Sequence, residues 1–283
     1  MSNGKKVLVT GVTAGVGNAL GPMLRARGYH VIAVCRNAQQ SEELIANKIC
    51  DATVLADLGI AEAVQTVPQQ LKEQGVSELS GFLHCAAISG AAPLETYPMD
   101  GMRQIFEVNV FGFMGVMQAV IPLLRPCQGR MVLTGSVAGF SAWPMLGIYG
   151  ATKHAFEALC DVARRELYPW GIRVSLIRPG GIRTRMLARH IVEMKGRLAA
   201  LAGKDKDLYP RLYQSYTQMM IDGEGKAVSA EHVARKIVEV FESANPKADY
   251  CVGQDCKLLR VIDLLLPDAV MDLVVKKTFA LNK

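Results

Sequence analysis

Apolar positions along the 283-residue chain follow two rhythms. Short runs of consecutive apolar and β-branched residues predict buried strands at 6–10, 30–35, 81–85, 130–135, 172–178 and 250–252, with a weaker one at 52–55. Between them, apolar residues recur every three or four positions, as in helices that bury one face. Those segments are 15–27, 60–74, 98–124, 149–168 and 229–243. Strands that alternate with helices predict βαβ units and one parallel sheet covered on both faces. Right-handed crossovers then give an α/β, doubly wound sheet of about seven strands, with its ligand at the carboxyl ends of the strands.

Residues 1–283 contain no repeat, low-complexity stretch or linker, so one domain is expected. Two segments stand outside the alternation. Residues 186–228 are too long for a plain connection and carry helical patterns of their own, which predicts a helical lid. Residues 254–283 form a tail that is unusually apolar, with Leu258, Val261, Leu264, Leu265, Val270, Leu273 and Phe279. Pro267 is placed to separate two short helices there. Burial of the tail near the lid is the favoured expectation. Packing on a neighbouring subunit, and peripheral membrane contact helped by Lys276 and Lys277, are the alternatives.

The first strand, Val7-Leu8-Val9-Thr10, runs into Gly11-Val12-Thr13-Ala14-Gly15-Val16-Gly17 and then into a helical pattern. Strand, glycine turn and helix in that order form the setting of a dinucleotide site. Glycine lets backbone approach a pyrophosphate, and the helix start offers free N–H groups with a positive dipole end. Further along, Tyr149 and Lys153 stand four residues apart, on one face if the segment is helical, and Ser136 precedes them. A cation one turn away favours the phenolate, and a hydroxyl opposite can hold a carbonyl or alcohol oxygen. Such a set moves a proton while something else moves a hydride.

Taken together, Thr10-Gly11-x-x-x-Gly15-x-Gly17, Asn109, Ser136 and Tyr149-x-x-x-Lys153 resemble the short-chain dehydrogenase/reductase family, whose fold is Rossmann-like. Asp57-Leu58 after the third strand and Pro179-Gly180 with Thr184 after the sixth extend the resemblance over residues 5 to 185. The resemblance implies Tyr149 as acid in carbonyl reduction and base in alcohol oxidation. Lys153 would tune that phenol and hold the nicotinamide ribose, Ser136 would orient the substrate oxygen, and Asn109 would interrupt a long helix and hold a relay water. It further implies cofactor contacts from Thr10, Gly11, Thr13, Gly15, Val16, Gly17, Asp57, Leu58, Ala86, Pro179, Gly180, Ile182 and Thr184, besides Tyr149 and Lys153. The chain departs from the family at His84-Cys85-Ala86-Ala87, where Asn-Asn-Ala-Gly is usual, and His84 is expected as an interior residue.

Cofactor choice turns on the end of the second strand, where Cys35 and Arg36 stand instead of an acid. A guanidinium can bind a 2′-phosphate, so NADP(H) is favoured and NAD(H) remains open. Phe140, Trp143, Met145, Leu146, Met186 and Leu187 are candidates for an apolar substrate pocket, suited to a bulky lipophilic alcohol or ketone. The run from Val162 to Ile172 is similar to the retinol and hydroxysteroid dehydrogenase branch. Lid cations, among them Arg183, Arg189 and Arg197, keep a 3-oxoacyl-thioester reductase as the enzyme alternative. A dinucleotide-sensing or scaffold protein without turnover is the alternative of another class.

Bulk properties narrow the picture further. The formal charge of +6 comes from interspersed cations without an aromatic-laced stripe, so no nucleic-acid partner is expected. Seven scattered cysteines suit reduced thiols in a cytoplasmic setting, and no spacing suggests a metal site. No signal peptide or uninterrupted membrane-spanning run is expected. A homodimer or homotetramer is expected through 98–124 and 149–168. The stripe Phe156, Leu159, Cys160 and Ala163 serves either that contact or the monomer core.

Overall fold

The computed structural model describes residues 5–279, and every side chain in that range except that of Met186. Among the described residues nine strands occur: β1 Lys6–Thr10, β2 His30–Cys35, β3 Ala52–Leu55, β4 Gly81–His84, β5 Arg130–Thr134, β6 Arg173–Pro179, β7 Ile182–Arg183, β8 Val228–Ser229 and β9 Asp249–Val252. Seven of them form one sheet in the order β3-β2-β1-β4-β5-β6-β9, and every pairing is parallel. This is the doubly wound, Rossmann-like sheet that the alternation predicts. β7 and β8 make a separate two-residue parallel bridge, which the sequence pattern does not reveal.

Strand periodicity decides how the layers fill. Val7 and Val9 of β1 face helices Gly15–Arg25 and Ala230–Glu242, with Leu20, Leu24, Ile237 and Phe241 in the same cluster. Leu8 faces the other way, into a cluster with Phe82, Phe113, Val116, Phe156 and Cys160. Both faces are therefore dry, and β1 reads as a continuous apolar run because it has no solvent side. The strand order reverses between β1 and β4, so the loops after these two strands open a crevice at the carboxyl edge of the sheet.

Several expectations are corrected in detail. The segment 60–74 is two helices, Ala61–Gln65 and Val67–Glu73, with Pro68 in the first turn of the second. A helix at Ala38–Ala46 was not expected; it buries only Leu44 and so lacks an apolar stripe, although Asn37 caps its start. The segment 98–124 is helical throughout but contains a π turn at Glu107–Gly112. Among the described residues, Met99–Leu124 is the one helical run long and apolar enough to cross a membrane. No such run was expected, because polar residues interrupt it; its inner face, with Phe113, Val116, Val120 and Leu124, packs in the core.

The stripe on helix Gly147–Glu166 belongs to the monomer. Phe156, Cys160 and Ala163 are buried in the central core, with Leu159 packed against it. The lid holds helices Arg185–Ala199, Gly203–Leu208 and Pro210–Glu224. The tail holds Gln254–Leu265 and Asp268–Thr278, with Pro267 capping the second. Only the end of the tail reaches the lid: Phe279 is fully buried there, and Val275 packs beside it. Leu258, Val261, Leu264, Leu265, Leu273 and Val274 are exposed, so burial of the whole tail near the lid is not what the fold does. Residues 280–283 of the tail lie outside the described residues.

Candidate active site

The glycine turn after β1 is shaped by contacts that no side chain would permit. Gly11 has φ +73°, and a Cβ there would lie 2.6 Å from the Ala86 nitrogen and from the Cys85 carbonyl carbon. Gly15 has φ +59° and faces the Thr184 methyl, and a Cβ on Gly17 would collide with the Gly11 carbonyl. The helix Gly15–Arg25 that follows has no side-chain cap at Ala14 and no acid in its first turn. Its leading N–H groups are therefore free for an anion. These residues fit a bound pyrophosphate. Thr184 itself caps helix Arg185–Ala199 by accepting the Leu187 N–H at 3.2 Å, which fixes the loop 179–184 over the glycines.

The other candidates lie around the same crevice. Arg36 follows β2, and its guanidinium makes no hydrogen bond or ion pair among the described residues. Asp57 accepts the Gly59 N–H at 2.9 Å and shapes the turn after β3; Leu58 is buried against Gly112. Thr10 departs from expectation. Its side chain is fully buried, with Oγ1 2.8 Å from His84 Nδ1, so it ties β1 to β4. Val16 too is buried in the core and offers only backbone.

Tyr149 and Lys153 share a face of helix Gly147–Glu166, as the four-residue spacing requires. The Lys153 ammonium lies 5.8 Å from the Tyr149 ring centroid and donates to the Thr134 carbonyl at 3.1 Å. Ser136, just past β5, starts a short 3-10 turn, and its Oγ accepts the Ala138 N–H at 3.1 Å. With that lone pair engaged, the hydroxyl proton is free to be donated elsewhere. Asn109 sits in the π turn but is fully committed. Its Oδ1 accepts the Ile88 N–H at 2.8 Å, and its Nδ2 donates to the Ile88 carbonyl at 2.8 Å and to Thr152 at 3.1 Å. The side chain therefore staples the loop after β4 to the helix. Backbone freed in the π turn is a further place where a relay water could be held.

His84 is interior, as expected. Its ring lies 4.8 Å from Phe113 and 5.6 Å from Phe156. Burial, with help from the nearby Lys153 charge, pulls its pKa down to about 3, so the imidazole is neutral. The unfolded chain binds a proton here near pH 6.5 and the folded chain does not. Stability therefore falls on acidification from about pH 6.5 towards 3, on the order of a few kcal/mol. We expect His84→Asn to lose less thermal stability than the parent between about pH 6.5 and 4.5; equal losses would contradict this.

A family model for short chain dehydrogenases matches residues 5–194. The chain belongs to the short-chain dehydrogenase family. It is 31% identical to an NADPH-dependent 3-dehydrocapnine reductase from Ornithobacterium rhinotracheale, over 95% of both chains. It is 28% identical to 17-beta-hydroxysteroid dehydrogenase type 6 from Bos taurus, over 97% of this chain and 89% of that one. The latter falls in the retinol and hydroxysteroid branch to which residues 162–172 point. A solved short-chain dehydrogenase from Streptomyces avermitilis has the same fold, with a TM-score of 0.76 at 20% identity and full coverage of both chains. As a short-chain dehydrogenase, this protein is an oxidoreductase acting on CH-OH groups with a nicotinamide dinucleotide.

Within this short-chain dehydrogenase, the expected pocket residues separate. Trp143, Met145 and Leu146 pack with lid residues Met194, Tyr213 and Tyr216 and with Phe279. Leu187 is partly exposed at the start of the lid, and the Met186 side chain lies outside the described residues. Phe140 is corrected: its ring stacks 5.9 Å from the Arg178 guanidinium and 5.1 Å from that of Arg260, away from the lid cluster. Two features were missed. Asp255, in the first turn of the tail, accepts the Gly181 N–H at 2.7 Å and fills the space a Cβ on Gly180 would need. An acid after Gly253 was the signal for a helix start, but its partner lies 74 residues away. The second is Tyr216, whose hydroxyl is 3.2 Å from His190 Nε2; burial and the neighbouring Tyr149 raise its pKa. A cleft of about 750 Å3 beside Arg211, Lys226 and Thr278 is lined by none of the candidate catalytic residues.

Proposed function

We propose that this chain is an NADP(H)-preferring dehydrogenase/reductase that interconverts a secondary alcohol and a ketone on a bulky lipophilic substrate, with Tyr149 as the acid/base. The observation that carries this reading is the shared helical face of Tyr149 and Lys153, with the free Ser136 hydroxyl at the end of the adjacent strand. Ser136 donates to the substrate oxygen, and Tyr149 gives or takes its proton. Lys153 supplies positive charge beside the phenol, and Asn109 holds the π turn in register with the loop after β4. The glycine turn, Asp57, Ala86 and the loop Pro179, Gly180, Ile182 and Thr184 would hold the dinucleotide, whose nicotinamide supplies or accepts the hydride.

Arg36, free of partners and without a nearby acid in its place in the sequence, supports the phosphate-bearing cofactor, as does the NADPH dependence in the name of the 3-dehydrocapnine reductase relative. Replacing Arg36 with Asp sets a carboxylate where the 2′-phosphate is expected. KM for NADPH should rise at least about tenfold while that for NADH falls. A parent enzyme with a lower KM for NADH than for NADPH would defeat this assignment.

The apolar cluster of Trp143, Met145 and Leu146 under the lid supports a lipophilic substrate. A thioester reading loses two of its lid cations, because Arg197 is engaged by Glu193 and the Ala91 carbonyl, and Arg183 by the Ala227 carbonyl, and it rests on Arg189 among those named. A binding protein without turnover needs no proton-handling set. Seven free thiols suit a reducing, cytoplasmic compartment. The outward apolar residues of the tail, Leu265 at 73% exposure among them, favour peripheral contact with a bilayer, flanked by Lys276 and Lys277. Full-length protein should then sediment with anionic liposomes, and protein ending at Gly253 should not. Equal behaviour of the two would end that reading. Association into a homodimer or homotetramer would use exposed Phe111 and Val162 in place of the buried stripe.

A further inference from the structure

Helix Gly147–Glu166 carries a third polar side chain on the face of Tyr149 and Lys153. Glu157 lies one turn beyond Lys153 and is buried to within 7%. Its Oε2 accepts from Arg178 Nε of β6 at 2.8 Å, and Arg178 is in turn paired with Asp249 of β9. The other oxygen, Oε1, has no hydrogen-bond partner among the described residues. It points at the turn that carries Ser136. A Cβ on Gly135 would lie 2.8 Å from Oε1, and one on Gly139 would collide with it. Two glycines thus flank the serine where a carboxylate needs the room.

A buried carboxylate is costly unless it is paired and does something an apolar side chain does not. Here one oxygen anchors on Arg178, and the other meets the backbone of the serine turn. We propose that Glu157 is a positioning residue for Ser136: held by Arg178, it fixes the backbone from Gly135 to Gly139, and with it the direction of the serine hydroxyl. It touches neither substrate nor cofactor. The proposal rests on the reading of Ser136 given above. It also explains why the turn has glycine at both 135 and 139.

The test is a double-mutant cycle on the purified full-length enzyme with NADPH and a ketone that it reduces. Glu157→Gln keeps length and an accepting oxygen, and should hold kcat within about threefold of the parent. Glu157→Asp keeps the charge for Arg178 but draws the carboxylate back by one methylene. It should lower kcat about tenfold, with NADPH Kd unchanged by fluorescence titration and Tm close to the parent. Ser136→Ala alone should lower kcat about a hundredfold. In the Ser136→Ala background, Glu157→Asp should cost less than about twofold more, because the group it positions is gone. Full kcat in Glu157→Asp, or the same tenfold loss in both backgrounds, would overturn the proposal. Undiminished kcat in Ser136→Ala would instead remove the reading of Ser136 beneath it. A drop in Glu157→Gln as large as in Glu157→Asp would also overturn the proposal, because the amide keeps the reach on which positioning depends.

Discussion

Tyr149→Phe should lower kcat by about two to four orders of magnitude while leaving cofactor affinity within about twofold. The substitution removes one oxygen and keeps the ring, so the packing of helix Gly147–Glu166 has no reason to change. Lys153 keeps its bond to the Thr134 carbonyl, and the Ser136 turn keeps its bond to Ala138. What is lost is the proton that must reach the substrate oxygen. Neither nearby group replaces it. The Tyr216 phenol is buried with its pKa raised, and His84 is neutral inside an aromatic cage. Steady-state kinetics with the purified variant decide the matter. Unchanged kcat would mean that the acid/base is some other group.

Gly11→Ala should be nearly as damaging, through binding instead of chemistry. An alanine at φ +73° is strained, by about 1 kcal/mol or more. Its methyl would also meet backbone atoms of Cys85 and Ala86 at 2.6 Å, where no flexible side chain can swing away. The tips of β1 and β4 would have to part, and the free N–H groups of helix Gly15–Arg25 would move with them. The expected result is an NADPH Kd raised at least about a hundredfold and a Tm lowered by several degrees. Calorimetric titration measures the first and a thermal melt the second. Parent-like values of both would show that the turn does not approach a ligand as closely as its packing implies.

The sheet was legible because its strands are buried on both faces. Val7 to Val9, Val31 to Val34 and Met131 to Leu133 are unbroken apolar runs, and the glycine and proline signals that bound them are local. The catalytic candidates were legible for the same local reason: Tyr149 and Lys153 are one helical turn apart, and Ser136 and Asn109 stand in short, recognisable settings. What escaped is long-range or has no pattern. Helix Ala38–Ala46 buries Leu44 alone, so periodicity had nothing to show. The β7–β8 bridge joins two residues to two others across the whole lid. Asp255 reaches the cofactor loop from the tail, and Glu157 meets glycines twenty residues back in the chain or so. Phe140 and Trp143 look alike in sequence. Only the placement of Arg178 and Arg260 sends the first away from the lid while Phe279 draws the second towards it, at 6.3 Å between ring centroids. The tail shows the limit of composition as a guide: its apolar residues are real, but most of them face outward.

The most direct test of the central claim is NADPH oxidation by the purified enzyme with a panel of bulky lipophilic ketones, followed together with product analysis. We expect at least one ketone to be reduced to its secondary alcohol, one alcohol formed per NADPH consumed, with the rate abolished in Tyr149→Phe. Binding of NADPH without turnover of any ketone or of the matching alcohols with NADP+, or turnover that survives in Tyr149→Phe, would contradict the account.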